Sequence, residues 1–258
     1  MTGWVLPKGR SRVLLSGLML LTAVGVCLAA LTAAAAERLL PVYRVENEKR
    51  QIALTFDAAW TADDVDDLIA VLARYDAPAT VFAVGEWARR YPDAVKKLAA
   101  AGHELANHSD SHRHLSALDA EAFRRDVADC NETLTALTGR PVTLYRGPYG
   151  EYNNAAVAAV QSMGMTYVQW DCDSLDWKPG YTVEDILAAA RKNVRPGSIL
   201  LLHVGAAHTA EALPLLLEGL KGEGYAFVTV SDLLLKGETV IDHEGCQHPK
   251  KQGRPLLF

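Results

Sequence analysis

From residue 51 onward, short unbroken apolar runs alternate with longer stretches in which apolar side chains recur every three or four positions. The first kind fits a strand buried on both faces, the second a helix with one apolar stripe. Gln51 to Phe56 reads as a strand, Ala62 to Tyr75 as a helix carrying Val65, Leu68, Ile69 and Leu72 on one side, and Ala79 to Val84 as the next strand. The cycle repeats, with helices expected at Trp87 to Ala101, Asp119 to Leu137, Asn153 to Met163, Val183 to Asn193 and Glu211 to Lys221. Strands are expected near Glu104 and at Thr143 to Tyr145, Met165 to Trp170, Ser198 to His203 and Phe227 to Val230.

Alternating strands and helices imply βα units around a parallel sheet, and about seven of them imply an α/β fold of the distorted (β/α)7-type barrel class, closed or nearly so. Chemistry in such a fold collects at the carboxyl ends of the strands. Asp57 and His203 end two strand candidates, and Arg146 and Asp171 follow two others, so four polar groups are expected on one rim.

The N-terminus changes the picture. Val13 to Ala36 is a 24-residue uncharged stretch preceded by Lys8, Arg10 and Arg12, and it ends in four alanines. It is long enough to span a bilayer and also resembles a cleavable signal, and either reading exports the remainder. The organisation expected is therefore a signal or anchor over 1–36, a linker over 37–50, a catalytic domain over 51–235 and a tail over 236–258. Membrane attachment runs through the N-terminal helix if it is not cleaved, and the catalytic part lies outside the cytoplasm. Removing the three N-terminal cations from the 26 basic residues leaves 23 against 31 acidic ones, a formal charge of −8. That balance argues against a nucleic-acid partner. Beyond Cys27, the cysteines Cys130, Cys172 and Cys246 are too few and too scattered to form a disulfide framework.

Candidate chemistry centres on His108 and His112 in Asn107-His108-Ser109-Asp110-Ser111-His112. Imidazoles at i and i+4 share one face of a helix or helical turn and can reach one divalent metal. Around them stand Thr55-Phe56-Asp57-Ala58-Ala59-Trp60, Arg146-Gly147-Pro148-Tyr149-Gly150, Asp171-Cys172-Asp173-Ser174-Leu175-Asp176-Trp177 and Leu201-Leu202-His203. In this order the five segments resemble the motifs of the NodB-homology polysaccharide deacetylases, carbohydrate esterase family 4, over about Ile52 to Leu234. The first and fourth segments are most similar to the sporulation and cell-wall branch.

The resemblance implies metal-assisted removal of N-acetyl groups from an extracytoplasmic glycan, with peptidoglycan the first choice and zinc the expected metal. His108 and His112 match the metal ligands, Asp57 the base that takes a proton from water, and His203 the acid that protonates the departing amine. Arg146 matches the arginine that holds the base, and Asp176 the carboxylate that orients the acid. Tyr149 would offer its backbone N–H to the oxyanion, and Trp177 and Leu201 would wall an acetyl pocket. His114 and Asp110 are expected in supporting or loop positions, and Trp60, Trp87, Tyr152 and Trp170 stack on sugar or pack in the core.

One position departs from the family pattern. The first motif ordinarily carries a second, metal-binding aspartate, and here that residue is Ala58. Asp57 then serves as both ligand and base, or another carboxylate such as Asp110 substitutes, or metal and turnover are lost. The first two outcomes leave an active enzyme, which is the expectation; a glycan-binding protein on the same fold and an O-acetyl esterase are the alternatives. His243, Cys246 and His248 in the tail show no fourth partner, so that segment is read as solvated.

Overall fold

The computed structural model describes residues 38–250; the expected N-terminal helix lies outside them. No helix among the described residues is long and apolar enough to cross a membrane. Among the described residues, 39–250 form a single compact unit. Its strands are β1 (Arg44–Val45), β2 (Gln51–Ala58), β3 (Thr80–Ala83), β4 (Glu104–Asn107), β5 (Leu144–Tyr145), β6 (Thr166–Tyr167), β7 (Cys172–Asp173), β8 (Ile199–His203), β9 (Ala226–Val228), β10 (Thr239–Ile241) and β11 (Cys246–Pro249). Its α-helices are α1 (Val65–Arg74), α2 (Gly85–Arg90), α3 (Pro92–Ala100), α4 (Ala120–Thr138), α5 (Asn154–Ser162), α6 (Val183–Arg191), α7 (Thr209–Gly222) and α8 (Val230–Leu233).

Eight strands form one parallel sheet in the order β6-β5-β4-β3-β2-β8-β7, with β9 pairing the start of β2. The sheet curls into a half-barrel and does not close on itself, because β6 and β7 end the path without pairing each other. This corrects the expectation of a closed or nearly closed barrel. The gap is bordered by the segment expected to be a linker. Val42 bridges Val168 beside β6, and Arg44 bridges Ser198 just before β8. The amides of Val42 and Val45 donate to the carbonyls of Tyr167 and Gly197, both at 2.9 Å.

β2 is buried along nearly its whole length, as a parallel strand covered on both faces must be. Side chains alternate across a strand, and the two apolar clusters follow that alternation. Ile52, Leu54, Phe56 and Ala58 pack with Leu68 and Leu72 of α1 and Leu213 and Leu217 of α7. Ala53 packs inside the curl with Phe82, Ala106, Leu144, Val168 and Ile199. Thr55 and Asp57 share the parity of Ala53, so they too face inward.

The stretch read as one helix from Trp87 to Ala101 is two. Tyr91 leaves helical geometry (φ −126°, ψ 57°) ahead of Pro92, which opens α3. A residue before proline is pushed out of the α region, so the break is local chemistry. α4 starts on Asp119, whose carboxylate accepts from the amides of Glu121 and Ala122, and it ends on Gly139 in the left-handed region. The strand expected over Met165 to Trp170 shortens to β6, because Gln169 donates to Val42 outside the regular ladder.

The tail also differs from expectation. β10 and β11 pair antiparallel, and β11 runs parallel to β1, so residues through Pro249 belong to a small three-stranded sheet. Its segments are about 200 positions apart in sequence, beyond the reach of local periodicity.

Candidate active site

The register of two neighbouring strands sets the frame. Asp57 of β2 lies directly opposite His203 of β8, so the two side chains emerge side by side at the carboxyl ends of their strands. Between and around them opens a cleft of about 490 Å³ lined by Asp57, Trp60, His108, His112, Tyr149, Asp173, Trp177, Leu201 and His203 among others. All the sequence-derived site residues are in this cleft or touch its lining, Arg146 and Asp176 from beneath.

Arg146 follows β5 and is completely buried. Its Nη1 donates to Asp57 Oδ1 at 2.7 Å and to Thr55 Oγ1 at 3.0 Å, and its Nη2 donates to the Gln169 carbonyl at 3.1 Å. The guanidinium plane lies 4.0 Å from the centre of the Phe82 ring. Burial works against the charged form of Asp57, but the His108 ring, the Arg146 guanidinium and His203 outweigh it and hold the carboxyl below its ordinary range. The buried Arg146 is the permanent charge in this set. The side-chain nitrogens Arg146 Nε and Gln169 Nε2 are buried without a hydrogen-bond partner, leaving the guanidinium anchored through its two terminal nitrogens.

His108 and His112 share an irregular loop after β4, not a helical turn as expected. Ser109 and His112 take positive φ (67° and 50°), which interrupts any helix. The loop is held by Asn107 Oδ1 on the Ser109 amide (2.7 Å), Ser109 Oγ on the His112 amide (2.9 Å) and Asp126 on the Asp110 amide (2.9 Å). The two rings still meet, with centroids 5.0 Å apart. His108 Nδ1–H donates to the Arg146 carbonyl at 2.9 Å, which leaves Nε2 with a lone pair facing Asp57 Oδ2 at 3.4 Å. Burial lowers the pKa of His108 and, with the neighbouring His108 ring, brings His112 down to about 4, which favours the uncharged, metal-binding form of each ring.

Neutral imidazoles with free nitrogens beside a carboxylate suit a borderline divalent cation such as zinc. His108 and His112 would hold it, with Asp57 Oδ2 beside His108 at 3.4 Å, although the donor atoms of the three do not all lie within 4.8 Å of one another. Asp110, the other candidate third ligand, is taken up by Arg89 through contacts of 2.7 and 2.8 Å. Ala58 pairs with Ala83 and sits in the apolar cluster beneath the helices. Among the described residues, one set of three metal-binding side chains has its donor atoms all within 4.8 Å of one another, and it lies elsewhere: Asp242, Cys246 and His248.

Beside Asp57 on the neighbouring strand, His203 Nδ1 bonds Asp176 Oδ1 at 2.7 Å. Asp176 Oδ2 accepts from the His203 amide at 2.8 Å and from Thr209 Oγ1 at 2.5 Å. Burial opposes the His203 cation, but the Asp176 contact and the charges of Asp57 and Asp173 raise its pKa overall. The Trp60 ring stacks on the imidazole, with centroids 5.1 Å apart and planes 18° from parallel. Trp60, Tyr149 and Trp177 are 44, 57 and 46 % exposed and form an aromatic rim. Tyr149 sits at φ 59° in a tight turn, its hydroxyl donating to the His112 carbonyl at 3.3 Å and its ring stacked on His114. Leu201 is buried in the wall, opposite Asp173 in the β7–β8 register.

Residues 44–168 match the polysaccharide deacetylase family. A peptidoglycan-N-acetylglucosamine deacetylase of Bacillus cereus is 35 % identical over 198 residues, covering 74 % of this chain and 92 % of that protein. The chain belongs to the polysaccharide deacetylase family. A crystal structure of a peptidoglycan N-acetylglucosamine deacetylase superposes with a TM-score of 0.71 at 30 % identity, over 74 % of this chain and 91 % of the other. A carbohydrate esterase family 4 pseudoenzyme from Bacillus anthracis gives a TM-score of 0.72 at 27 % identity, over 75 and 68 %. A mutant of that pseudoenzyme has restored enzymatic activity. The family therefore contains both active hydrolases and a member without activity in its natural form.

Thr209 and Thr55 escaped sequence reasoning as site residues. Thr209 opens α7 with nothing in its local sequence to link it to Asp176, 33 positions earlier. Thr55 stands two residues before Asp57 on an alternating strand, and that parity was a usable signal.

Proposed function

We infer that the chain is a metal-assisted hydrolase that removes N-acetyl groups from an extracytoplasmic polysaccharide, with peptidoglycan the substrate of first choice. The observation that carries the reading is the pair of oppositely biased systems that stand side by side in one cleft. Arg146 holds Asp57 ionised on one side, and Asp176 holds His203 toward its protonated form on the other. A base and an acid poised in opposite protonation states are what amide hydrolysis requires, because water must lose a proton and the amine must gain one. The relative from Bacillus cereus and the solved peptidoglycan deacetylase support the substrate class.

A divalent cation, when bound, polarises the acetyl carbonyl and makes water a better nucleophile at neutral pH. His108 and His112 would hold it, and Asp57, with no aspartate at position 58, would both face the cation and take the proton from water. Asp57 Oδ1 stays with Arg146 while Oδ2 faces the cleft. His203, its Nδ1 fixed by Asp176, presents Nε2 to the leaving nitrogen. Leu201 and Trp177 shape an apolar slot for a methyl group, the Tyr149 backbone N–H meets the developing negative charge, and the rim aromatics contact sugar rings. The uncharged segment over 13–36 delivers this domain across the membrane.

A second reading has its own support. The missing aspartate at position 58, together with the pseudoenzyme among its structural neighbours, favours a glycan-binding protein with weakened metal affinity. Acetate release from N-acetylated peptidoglycan fragments and chitin oligomers, with zinc, cobalt or manganese supplied, separates the two. Release that His203→Ala abolishes supports the hydrolase; oligomer binding without release under any of these metals supports the binder. O-acetylated substrates assayed alongside show whether the amide is the preferred bond.

A further inference from the structure

The small sheet formed by β1, β10 and β11 places three side chains of different donor type at one point, far from the cleft's own histidines in the chain. Asp242, at the start of the β10–β11 turn, and Cys246 and His248, in β11, bring a carboxylate oxygen, a sulfur and a ring nitrogen within 4.8 Å of one another. We propose that Asp242, Cys246 and His248 form a second divalent transition-metal site, with Glu46 fixing the histidine, that clips the C-terminal hairpin to the first strand of the fold.

The donor set is the first argument. Thiolate, imidazole and carboxylate together are the ligands of zinc and its neighbours, and not those of calcium or magnesium, which take oxygens alone. Orientation is the second. His248 Nδ1 contacts Glu46 Oε2 at 2.9 Å, while Nε2 faces Asp242 Oδ2 at 2.9 Å. A carboxylate behind the non-ligating ring nitrogen is the usual way a metal-binding histidine is held in its tautomer. Asp242 is oriented too, because its Oδ1 accepts from the amides of Glu244 and Cys246, both at 2.9 Å, leaving Oδ2 to the histidine.

Two cations act on Cys246, Arg44 at close range and Arg195 beyond it. Arg44 Nη1 approaches Cys246 Sγ at 2.9 Å, and Nη2 is paired with Glu244 at 2.9 Å. Glu46, Asp242 and Glu244 outnumber the two guanidinium groups, Arg44 and the more weakly acting Arg195, so the surroundings still favour a further positive charge. Cys246 is buried and its thiol is pushed above the ordinary range by that burial, so its proton leaves as the metal arrives. The balanced step is displacement of one thiol proton, together with the proton of His248 Nε2 where that is present, by one cation, with no redox change. Three protein donors leave a fourth position for solvent.

The test uses the full chain carrying His108→Ala and His112→Ala, which removes the cleft's ring ligands. Chelator-stripped protein is titrated with Co²⁺ and followed by the sulfur-to-cobalt charge-transfer absorption. The expected result is one Co²⁺ per chain with that absorption. It is lost in the added variant Cys246→Ser, and affinity is weakened about 10-fold or more by His248→Gln or by Glu46→Gln. Absence of the absorption, or its persistence with unchanged affinity in Cys246→Ser, overturns the site and leaves His248 as a protonated bridge between two carboxylates. If Cys246→Ser does not fold, the half-exposed His248→Gln and Glu46→Gln variants decide the matter by the same affinity readout. The measurement reads metal, not acetate, so its outcome is independent of whether the cleft is an active deacetylase.

Discussion

Replacing Asp176 by Asn tests the acid half of the cleft with the smallest steric change. Asp176 receives three hydrogen bonds, from His203 Nδ1 at 2.7 Å, the His203 amide at 2.8 Å and Thr209 Oγ1 at 2.5 Å. The amide and hydroxyl both converge on Oδ2, so the single oxygen of Asn is retained there and its NH₂ is turned toward the imidazole. His203 Nδ1 must then accept, which forbids the doubly protonated ring. Losing a charge-assisted hydrogen bond of about 1.5–3 kcal/mol corresponds to about 1–2 pH units at 1.36 kcal/mol per unit. The wild-type His203 pKa is raised, so the protonated acid is fully present below the ordinary histidine value and is lost as pH rises through the elevated one. In Asp176→Asn the alkaline limb of kcat/KM for acetate release moves down by about 1–2 pH units, and the plateau falls by about 10²-fold or more, the usual scale of general acid catalysis. A full pH–rate profile with an N-acetylglucosamine oligomer reads both effects. An unmoved alkaline limb would refute the reasoning, whatever happens to the plateau.

Other perturbations address other parts of the structure. Arg146→Met leaves Asp57 buried without its guanidinium, so chemical denaturation should show a loss of about 3–5 kcal/mol and the acid limb of the pH profile should climb as the Asp57 pKa rises; unchanged stability contradicts the buried pair. Trp60→Ala removes the ring stacked on His203 from a half-exposed position, so stability should stay within about 1 kcal/mol while KM for oligomers rises several-fold; an unaltered KM removes Trp60 from the substrate surface. Gly197→Ala places a Cβ 1.7 Å from the Val45 carbonyl oxygen at φ 87°, so thermal unfolding should reveal a loss of about 2 kcal/mol or more; a neutral result means that the segment bordering the open side of the sheet is not held there.

The sequence carried much of the fold because its parallel strands are buried on both faces and its helices are amphipathic, two patterns that local periodicity reports. β2 and β8 read correctly for that reason, and the placement of Asp57 and His203 on one rim followed from their strand ends. What escaped were features decided over long distances. The three-stranded sheet joins residue 44 to residue 246, and the open edge of the half-barrel is bordered by a segment with no strand signal of its own. The His108/His112 pair was found through helical spacing although the loop is not helical; the contact survives because Asn107, Ser109 and Asp126 tie the loop into a turn that brings the rings together. Ala58 was visible as a missing ligand, but only the structure showed that Asp110 is committed to Arg89 and leaves Asp57 as the carboxylate beside the rings.

That last point is where the account is most exposed. With Asp57 serving both cation and proton transfer, Asp57→Asn should remove metal affinity and turnover together. The decisive measurement is acetate release from N-acetylated peptidoglycan fragments by the zinc-loaded chain, with zinc per chain quantified in the same samples of wild type and Asp57→Asn, both in a Cys246→Ser background so that the hairpin site contributes none. The account predicts release by the wild type, and in the variant a fall in rate of about 10²-fold or more accompanied by loss of zinc from the cleft. Wild-type protein that carries zinc in the cleft yet releases no acetate, or an Asp57→Asn variant that keeps both zinc and turnover, contradicts it.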